Sequence, residues 1–257
     1  MDVITTERAR RLELQGAANF RDLGGYVTVS DRVTRWGRMW RSDSLADLTE
    51  TDLATLETLG LHSLIDFRLP QERARKPNRL PSSGAPIRTV EIGFIPRGAV
   101  QMLRAVAAGT MGPADVEREV AEHYRRLPLE HNQEYAQMLD RVEEAAGAPV
   151  LIHCASGKDR TGWGAAVLLL ALGVPRATVE QDYALTNQYR RDIGHVVSEQ
   201  TPRAVVETLT AARPQYLVRA FQAIDETYGS DVAYLERGLG LSAARRARFE
   251  EMLTTPA

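Results

Sequence analysis

Pro149-Val-Leu-Ile-His-Cys-Ala-Ser-Gly-Lys-Asp-Arg-Thr-Gly162 is the stretch that decides how this chain is read. Val150, Leu151 and Ile152 are apolar and β-prone, the next residues form a tight donor-rich loop, and a long apolar helical run begins near Thr161. A strand, a loop and a helix N-terminus in that order make a cradle for an anion. Backbone N–H groups from Ala155, Ser156, Gly157, Lys158, Asp159 and Arg160 can turn inward while the helix presents the positive end of its dipole. Gly157 permits close approach or a left-handed backbone. The planar fork of Arg160 suits two phosphate oxygens at once.

Cys154, the only cysteine of the chain, sits where the strand ends. The loop's field favours its thiolate, a nucleophile in line with a bound phosphoryl group. A lone cysteine is more often a small buried hydrophobe. Six residue types in register (His153, Cys154, Gly157, Arg160, Thr161 and Gly162) favour the catalytic reading.

The segment resembles the His-Cys-x5-Arg-Thr signature of cysteine-dependent phosphatases. Its Gly-Lys-Asp-Arg-Thr-Gly form is similar to the bacterial tyrosine, dual-specificity and lipid phosphatases. Asn19-Phe-Arg-Asp-Leu-Gly-Gly-Tyr26, Arg41-Ser-Asp-Ser-Leu45 and Leu64-Ile-Asp-Phe-Arg68 carry the same resemblance; residues 97–130 and those after 190 match it only loosely. It implies a tyrosine phosphatase-like α/β fold and hydrolysis of phosphomonoesters through a phosphocysteine, without a cofactor. Asn19, Arg21 and Asp22, an ordinary polar turn by spacing, become site residues on this resemblance, and Arg68 and His153 join them on the substrate side.

In the mechanism expected, Cys154 attacks phosphorus while the loop amides and Arg160 stabilise the equatorial oxygens. His153 orients the loop, and Thr161 donates its hydroxyl to the thiolate. The leaving oxygen needs a proton, and no Trp-Pro-Asp triplet supplies one: Trp36, Trp40 and Trp163 all lack it. Asp159 is the first candidate acid and Asp66, at a strand's end, the second. Lys158 is either a solvated lysine or a counter-charge for a second phosphate; the resemblance associates it with phosphoinositides. The competing functions are a catalytically inactive phosphate-binding module and a sulfur- or arsenate-transfer enzyme on the same loop. An inactive module would lack Cys154 or Arg160, and arsenate chemistry ordinarily needs a resolving cysteine.

The remaining sequence sets bounds. The 257 residues are 44% hydrophobic, and 32 basic against 34 acidic residues leave a net charge of −2. That excludes a global basic field for nucleic acid. One cysteine excludes an intramolecular disulfide, and the five histidines show no ligand spacing, so neither metal nor cofactor is expected. Residues 1–14 lack the apolar core of a conventional signal peptide, which points to the cytoplasm or to export without one. The apolar helix from Thr161, about 13 residues, falls short of the roughly 20 that span a bilayer. The expected partner is a phosphorylated protein or phosphoinositide; oligomeric state is not legible.

Alternating strands and helices followed by a helical tail predict one α/β domain over 1–257, with a mostly parallel central sheet flanked by helices and helical insertions at 96–130 and 190–228. Thr5 to Leu14 reads as a short helix or arm. Tyr26 to Val29 and Trp36 to Trp40 read as extended, His62 to Arg68 as a buried strand and Ile87 to Ile92 as another. Helices are predicted from Leu48 to Gly60, capped by Thr49 with Asp52, and at Gln71 to Arg75. Others follow through Val116, Val120, Tyr124 and Leu127, over 129–146, over 161–173, from Pro175 to about Asn187, and at 203–212, 216–228 and 243–253. The inserted helices either cover the site or pack as an outer layer.

Overall fold

The computed structural model describes residues 10–190 and 200–257. The strands are β1 (Arg21–Asp22), β2 (Arg32–Thr34), β3 (Met39–Ser42), β4 (Ser63–Asp66), β5 (Arg88–Glu91), β6 (Val150–His153) and β7 (Thr254–Pro256). Five form one sheet in the order β1-β3-β6-β4-β5, and β2 pairs with β7 in an antiparallel ribbon. β3, β6, β4 and β5 are mutually parallel, and β1 is antiparallel at the edge. The predicted mostly parallel sheet is the one found, with the strand that leads into the loop at its centre.

Register explains why Val-Leu-Ile runs uninterrupted. Trp40 and Leu64 flank Leu151 across the sheet, and these three face a core with Phe20, Leu45 and Leu56. Val150, Ile152, Met39 and Ile65 belong to the core on the other face. Successive side chains alternate in a strand, so a sheet buried on both faces needs apolar residues at consecutive positions. The same register brings Ser42 and Asp66 beside His153 at the carboxyl ends of the strands, where open α/β sheets place their ligands.

The main helices are α1 (Glu50–Thr58), α2 (Pro70–Arg75), α3 (Ala99–Ala107), α4 (Pro113–Glu130), α5 (Asn132–Glu144), α6 (Arg160–Ala171), α7 (Arg176–Ala184), α8 (Arg203–Thr210), α9 (Pro214–Tyr228) and α10 (Ala243–Leu253). The Thr49–Asp52 capping box of α1 forms in both directions. Every residue of α6 is buried, as its nearly all-round apolarity requires. α8 and α9 pack on α4, so the two predicted insertions build one helical layer. No helix among the described residues is long and apolar enough to cross a membrane.

Several boundaries differ from expectation. Of the short helix or arm expected at Thr5 to Leu14, residues 5–9 lie outside the described residues, Arg10 is helical, and Arg11 forms an antiparallel bridge with Arg21. Tyr26 to Val29 is no strand, since Val27 makes only a single bridge to Val33, yet the alternation is real: Tyr26 packs on the core and Thr28 is buried while Val27 and Val29 are exposed. Gly37 at φ 73 turns the chain, which delays β3 to Met39. Pro128 does not separate two helices. It sits in the last turn of α4, where its missing N–H forfeits one bond, and the break comes at His131. Residues 191–199 of the second insertion lie outside the described residues.

Candidate active site

Cys154 lies buried where β6 ends, and α6 starts six residues later at Arg160. Between them Gly157 adopts φ 68, and a Cβ there would come within 2.8 Å of Asp43 N and Ser42 O. Only glycine fits both the conformation and the gap. The loop is tethered from outside: Ser44 N donates to the Ala155 carbonyl at 3.1 Å, and Arg41 Nη2 donates to the Gly157 carbonyl at 2.8 Å. A trans peptide points its N–H away from its C=O, so these tethers turn the Ser156 and Lys158 amides to the opposite side of the loop.

Arg160 is fixed before any substrate arrives. Nη1 donates to Glu72 Oε2 at 2.8 Å, to the Phe67 carbonyl at 2.9 Å and to the Phe94 carbonyl at 3.1 Å, while Nη2 donates to Glu72 Oε1 at 2.8 Å. Burial opposes the charge of Arg160, yet the Glu72 carboxylate holds the guanidinium above its ordinary range. Burial likewise opposes ionisation of Glu72, and Arg160 holds that carboxyl below its usual range. Sequence reading passed over Glu72, although Pro70 followed by Glu72 two residues later just after the β4 rim was a visible helix start.

The carboxylates of the two acid candidates sit in different surroundings. Asp66 is wholly buried. It accepts from Arg68 Nη2 at 2.7 Å and Nε at 3.0 Å and from Asn78 Nδ2 at 3.0 Å, and it lies 3.2 Å from His153 Nε2. Although burial alone would raise its pKa, His153 and Arg68 hold it far below the carboxylate range. These partners hold Asp66, the second candidate acid, as a carboxylate at the strand rim. Arg68 also donates to Asn78 Oδ1 and to the Lys76 carbonyl, both at 2.7 Å, and so braces the strand rim.

Asp159 instead has a side chain 37% exposed. Tyr124 Oη donates to its Oδ1 at 3.0 Å, and Lys158 Nζ lies 2.7 Å from the same oxygen. Among the described residues Oδ2 takes no hydrogen bond. Lys158 is 5% exposed, its ammonium 5.7 Å from the centre of the Tyr216 ring, so it is not the solvated lysine of the bland reading.

Asn19 and Arg21 tie the loop to a buried ion cluster, and Asp22 serves a neighbouring turn. All three are buried. Asn19 Nδ2 donates to the Gly157 carbonyl at 3.3 Å, Arg21 donates to Asn19 Oδ1 and, through Nε, to Asp182 Oδ1 at 3.1 Å. Asp22 receives the Gly24 and Gly37 amides and shapes the turn before β3. Asp182, on α7, also binds Arg41 Nη1 at 2.6 Å and the Tyr26 hydroxyl at 2.9 Å. Burial would raise its pKa, but Arg21 and Arg41 hold it well below the usual range. Neither Asp182 nor the role of Arg41 was read from sequence; the available signal was a carboxylate beside Tyr183 on the inward face of a helix.

His153 contacts the Cys154 carbonyl through Nδ1 at 3.3 Å in addition to Asp66, an arrangement suited to orienting the loop. The Thr161 hydroxyl is buried and has no hydrogen-bond partner among the described residues, so the expected bond to the Cys154 sulfur is not made.

Comparison with known proteins agrees with this geometry. A family model described as "Tyrosine phosphatase family" matches residues 12–255. The triple specificity protein phosphatase PtpB of Mycobacterium tuberculosis is 32% identical over 278 residues, covering 94% of this chain and 98% of its own. A relative in Cupriavidus necator is 31% identical over 237 residues, covering 89% of this chain and 84% of its own. Near-complete coverage in both directions, joined to an intact Cys154–Arg160 loop, means that this chain belongs to the tyrosine phosphatase family and is a phosphatase.

Proposed function

We propose that this phosphatase cleaves phosphate monoesters of tyrosyl residues and of inositol lipids, with Cys154 as nucleophile, Arg160 and the loop amides as the oxyanion clamp and Asp159 as proton donor. The observation that carries the reading is the bidentate Arg160–Glu72 pair, which holds the guanidinium six residues after Cys154 in a fixed pose and within electrostatic reach of that thiol. Preorganised charge of this kind stabilises the transferring phosphoryl group without reorganisation during the reaction. Asp159 is favoured over Asp66 by access: its side chain is 37% exposed and its Oδ2 takes no hydrogen bond among the described residues, whereas Asp66 is wholly buried among Arg68, Asn78 and His153.

In the first step Sγ attacks phosphorus, the P–O bond breaks, and the proton of Asp159 passes to the leaving oxygen. In the second, water attacks the phosphocysteine, gives a proton to the Asp159 carboxylate, and the thiolate leaves. The lipid branch of the proposal rests on Lys158, a second cation within the loop, and on a relative named for triple specificity.

The test is metal-free phosphate release from a phosphotyrosine peptide, a phosphoserine peptide and a phosphoinositide by the wild type, Cys154→Ser and Lys158→Ala. Cys154→Ser is expected to lose all turnover. Lys158→Ala is expected to lose more on the phosphoinositide than on the phosphotyrosine peptide; equal losses would remove the lipid branch. Wild-type silence on all three substrates would overturn the proposal.

A further inference from the structure

We propose that Tyr124 is a positioning residue for Asp159, the end of a buried hydroxyl relay that fixes which carboxyl oxygen carries the catalytic proton. The inference rests on the reading of Asp159 as proton donor.

Tyr124 comes from the inserted helix α4, and nothing in its helical spacing separates it from Val116, Val120 and Leu127, its companions in the core. Its ring is fully buried. Its hydroxyl reaches the catalytic loop: it donates to Asp159 Oδ1 at 3.0 Å, lies 3.4 Å from the Lys158 carbonyl and lies 2.7 Å from the hydroxyl of Tyr183 on α7. A tyrosine has one O–H. With that proton given to Asp159, the short contact to Tyr183 requires Tyr183 to be the donor. The relay therefore runs Tyr183 to Tyr124 to Asp159, and hydrogen bonds in such a chain strengthen one another. Burial, with Asp159 close by, pushes the Tyr124 phenol well above its ordinary value, so it remains a donor throughout the working range.

Two donors, the Tyr124 hydroxyl and the Lys158 ammonium, converge on Oδ1. An oxygen occupied by two donors is not the one that carries a hydrogen. The proton of the neutral acid accordingly resides on Oδ2, the oxygen open to substrate. As the Oδ2–H bond breaks and the leaving oxygen takes the proton, negative charge grows on a carboxylate already held by both donors. The relay thus favours proton donation and returns the same oxygen as base for the attacking water. It also gives α4 a purpose beyond outer packing, since this helix delivers a polar group to the loop.

Tyr124→Phe removes the hydroxyl and keeps the ring, which stacks on Tyr216 at 5.6 Å and meets Tyr183 edge-on at 5.7 Å. The experiment measures kcat/KM on phenyl phosphate, whose phenoxide leaves poorly without a proton, and on p-nitrophenyl phosphate, whose leaving group needs little help. Asp159→Asn should lose about 100-fold on phenyl phosphate and far less on the nitrophenyl ester. Tyr124→Phe should lose about tenfold on phenyl phosphate and less than about twofold on the other, and should add nothing in the Asp159→Asn background. Tyr183→Phe should show the same pattern, weaker, and decides the matter if thermal melting shows Tyr124→Phe to be unfolded. Equal losses on both esters, or full additivity with Asp159→Asn, would overturn the relay while leaving Asp159 as the acid. An Asp159→Asn loss independent of the leaving group would instead remove Asp159 from its role, and this inference with it.

Discussion

Arg41 donates from Nη2 to the carbonyl of Gly157, 116 residues away in sequence, while its Nη1 holds Asp182. A second line, Asp182 to Arg21 to Asn19, ends on the same carbonyl. The loop's backbone is held by a buried ion cluster.

Asp182→Asn leaves two buried guanidinium groups with no carboxylate. Breaking a buried pair by removing one partner costs about 3–5 kcal/mol. Urea unfolding should show a loss of that order, together with slower turnover at unchanged Cys154; an unaltered midpoint would show that the cluster is not supporting the fold. Because its pKa is depressed in the folded state, the stabilisation is present above the ordinary value near 3.8 and is lost as pH falls below it.

Asp22 has the opposite sign. Burial raises its pKa to about 6 from 3.8, against the lowering effect of the Gly37 and Gly24 amides. Between those values the folded state binds more protons than the unfolded chain, so stability falls as pH rises from about 4 to 6, by up to about 3 kcal/mol. Melting temperatures followed across that window should slope less in Asp22→Asn than in the wild type. Parallel slopes would contradict the assignment.

Glu72→Gln keeps the size of the side chain and removes the charge that anchors Arg160. A guanidinium displaced by about 1 Å costs on the order of 100-fold in such a site. We expect kcat/KM on p-nitrophenyl phosphate to fall about 10- to 100-fold, with a lower melting temperature because the buried guanidinium loses its carboxylate. Retention of full activity would mean that the two carbonyls alone position Arg160.

Gly157→Ala places a Cβ 2.8 Å from Asp43 N and Ser42 O at φ 68. Strained backbone of this kind costs about 1–3 kcal/mol before the clash is counted. The variant should be less stable and should bind neither vanadate nor substrate; wild-type vanadate affinity would show that the loop tolerates the methyl group.

Thr161→Val tests a hydroxyl that has no partner at rest. No hydrogen bond is lost, so stability should be equal or higher. If the hydroxyl assists the thiolate as the phosphocysteine breaks down, a burst of phenolate followed by slow turnover will appear in stopped-flow traces with p-nitrophenyl phosphate. The absence of a burst would assign Thr161 to the helix start alone.

Much of the molecule was written locally. The strand-loop-helix segment over 149–162, the capping box at Thr49 and Asp52, and the all-round apolar α6 each follow from residues close in sequence, because strand pairing faces, caps and dipoles are short-range properties. The strand β6 itself was legible from its unbroken apolar run, but its central place in the sheet was not, because strand order depends on pairings far apart in the chain.

What only the tertiary structure decided is how charges far apart in the chain pair with one another. Asp66 and Asp159 are equal carboxylates in the sequence; Arg68, Asn78 and His153 converge on one and favour its charged form, and the other keeps an oxygen free of hydrogen bonds among the described residues. Glu72, Arg41, Asp182 and Tyr124 look like ordinary helix and strand residues until folding sets them against the loop. A side chain's type is local information, whereas its protonation and its partners depend on burial and on neighbours brought together by the whole fold.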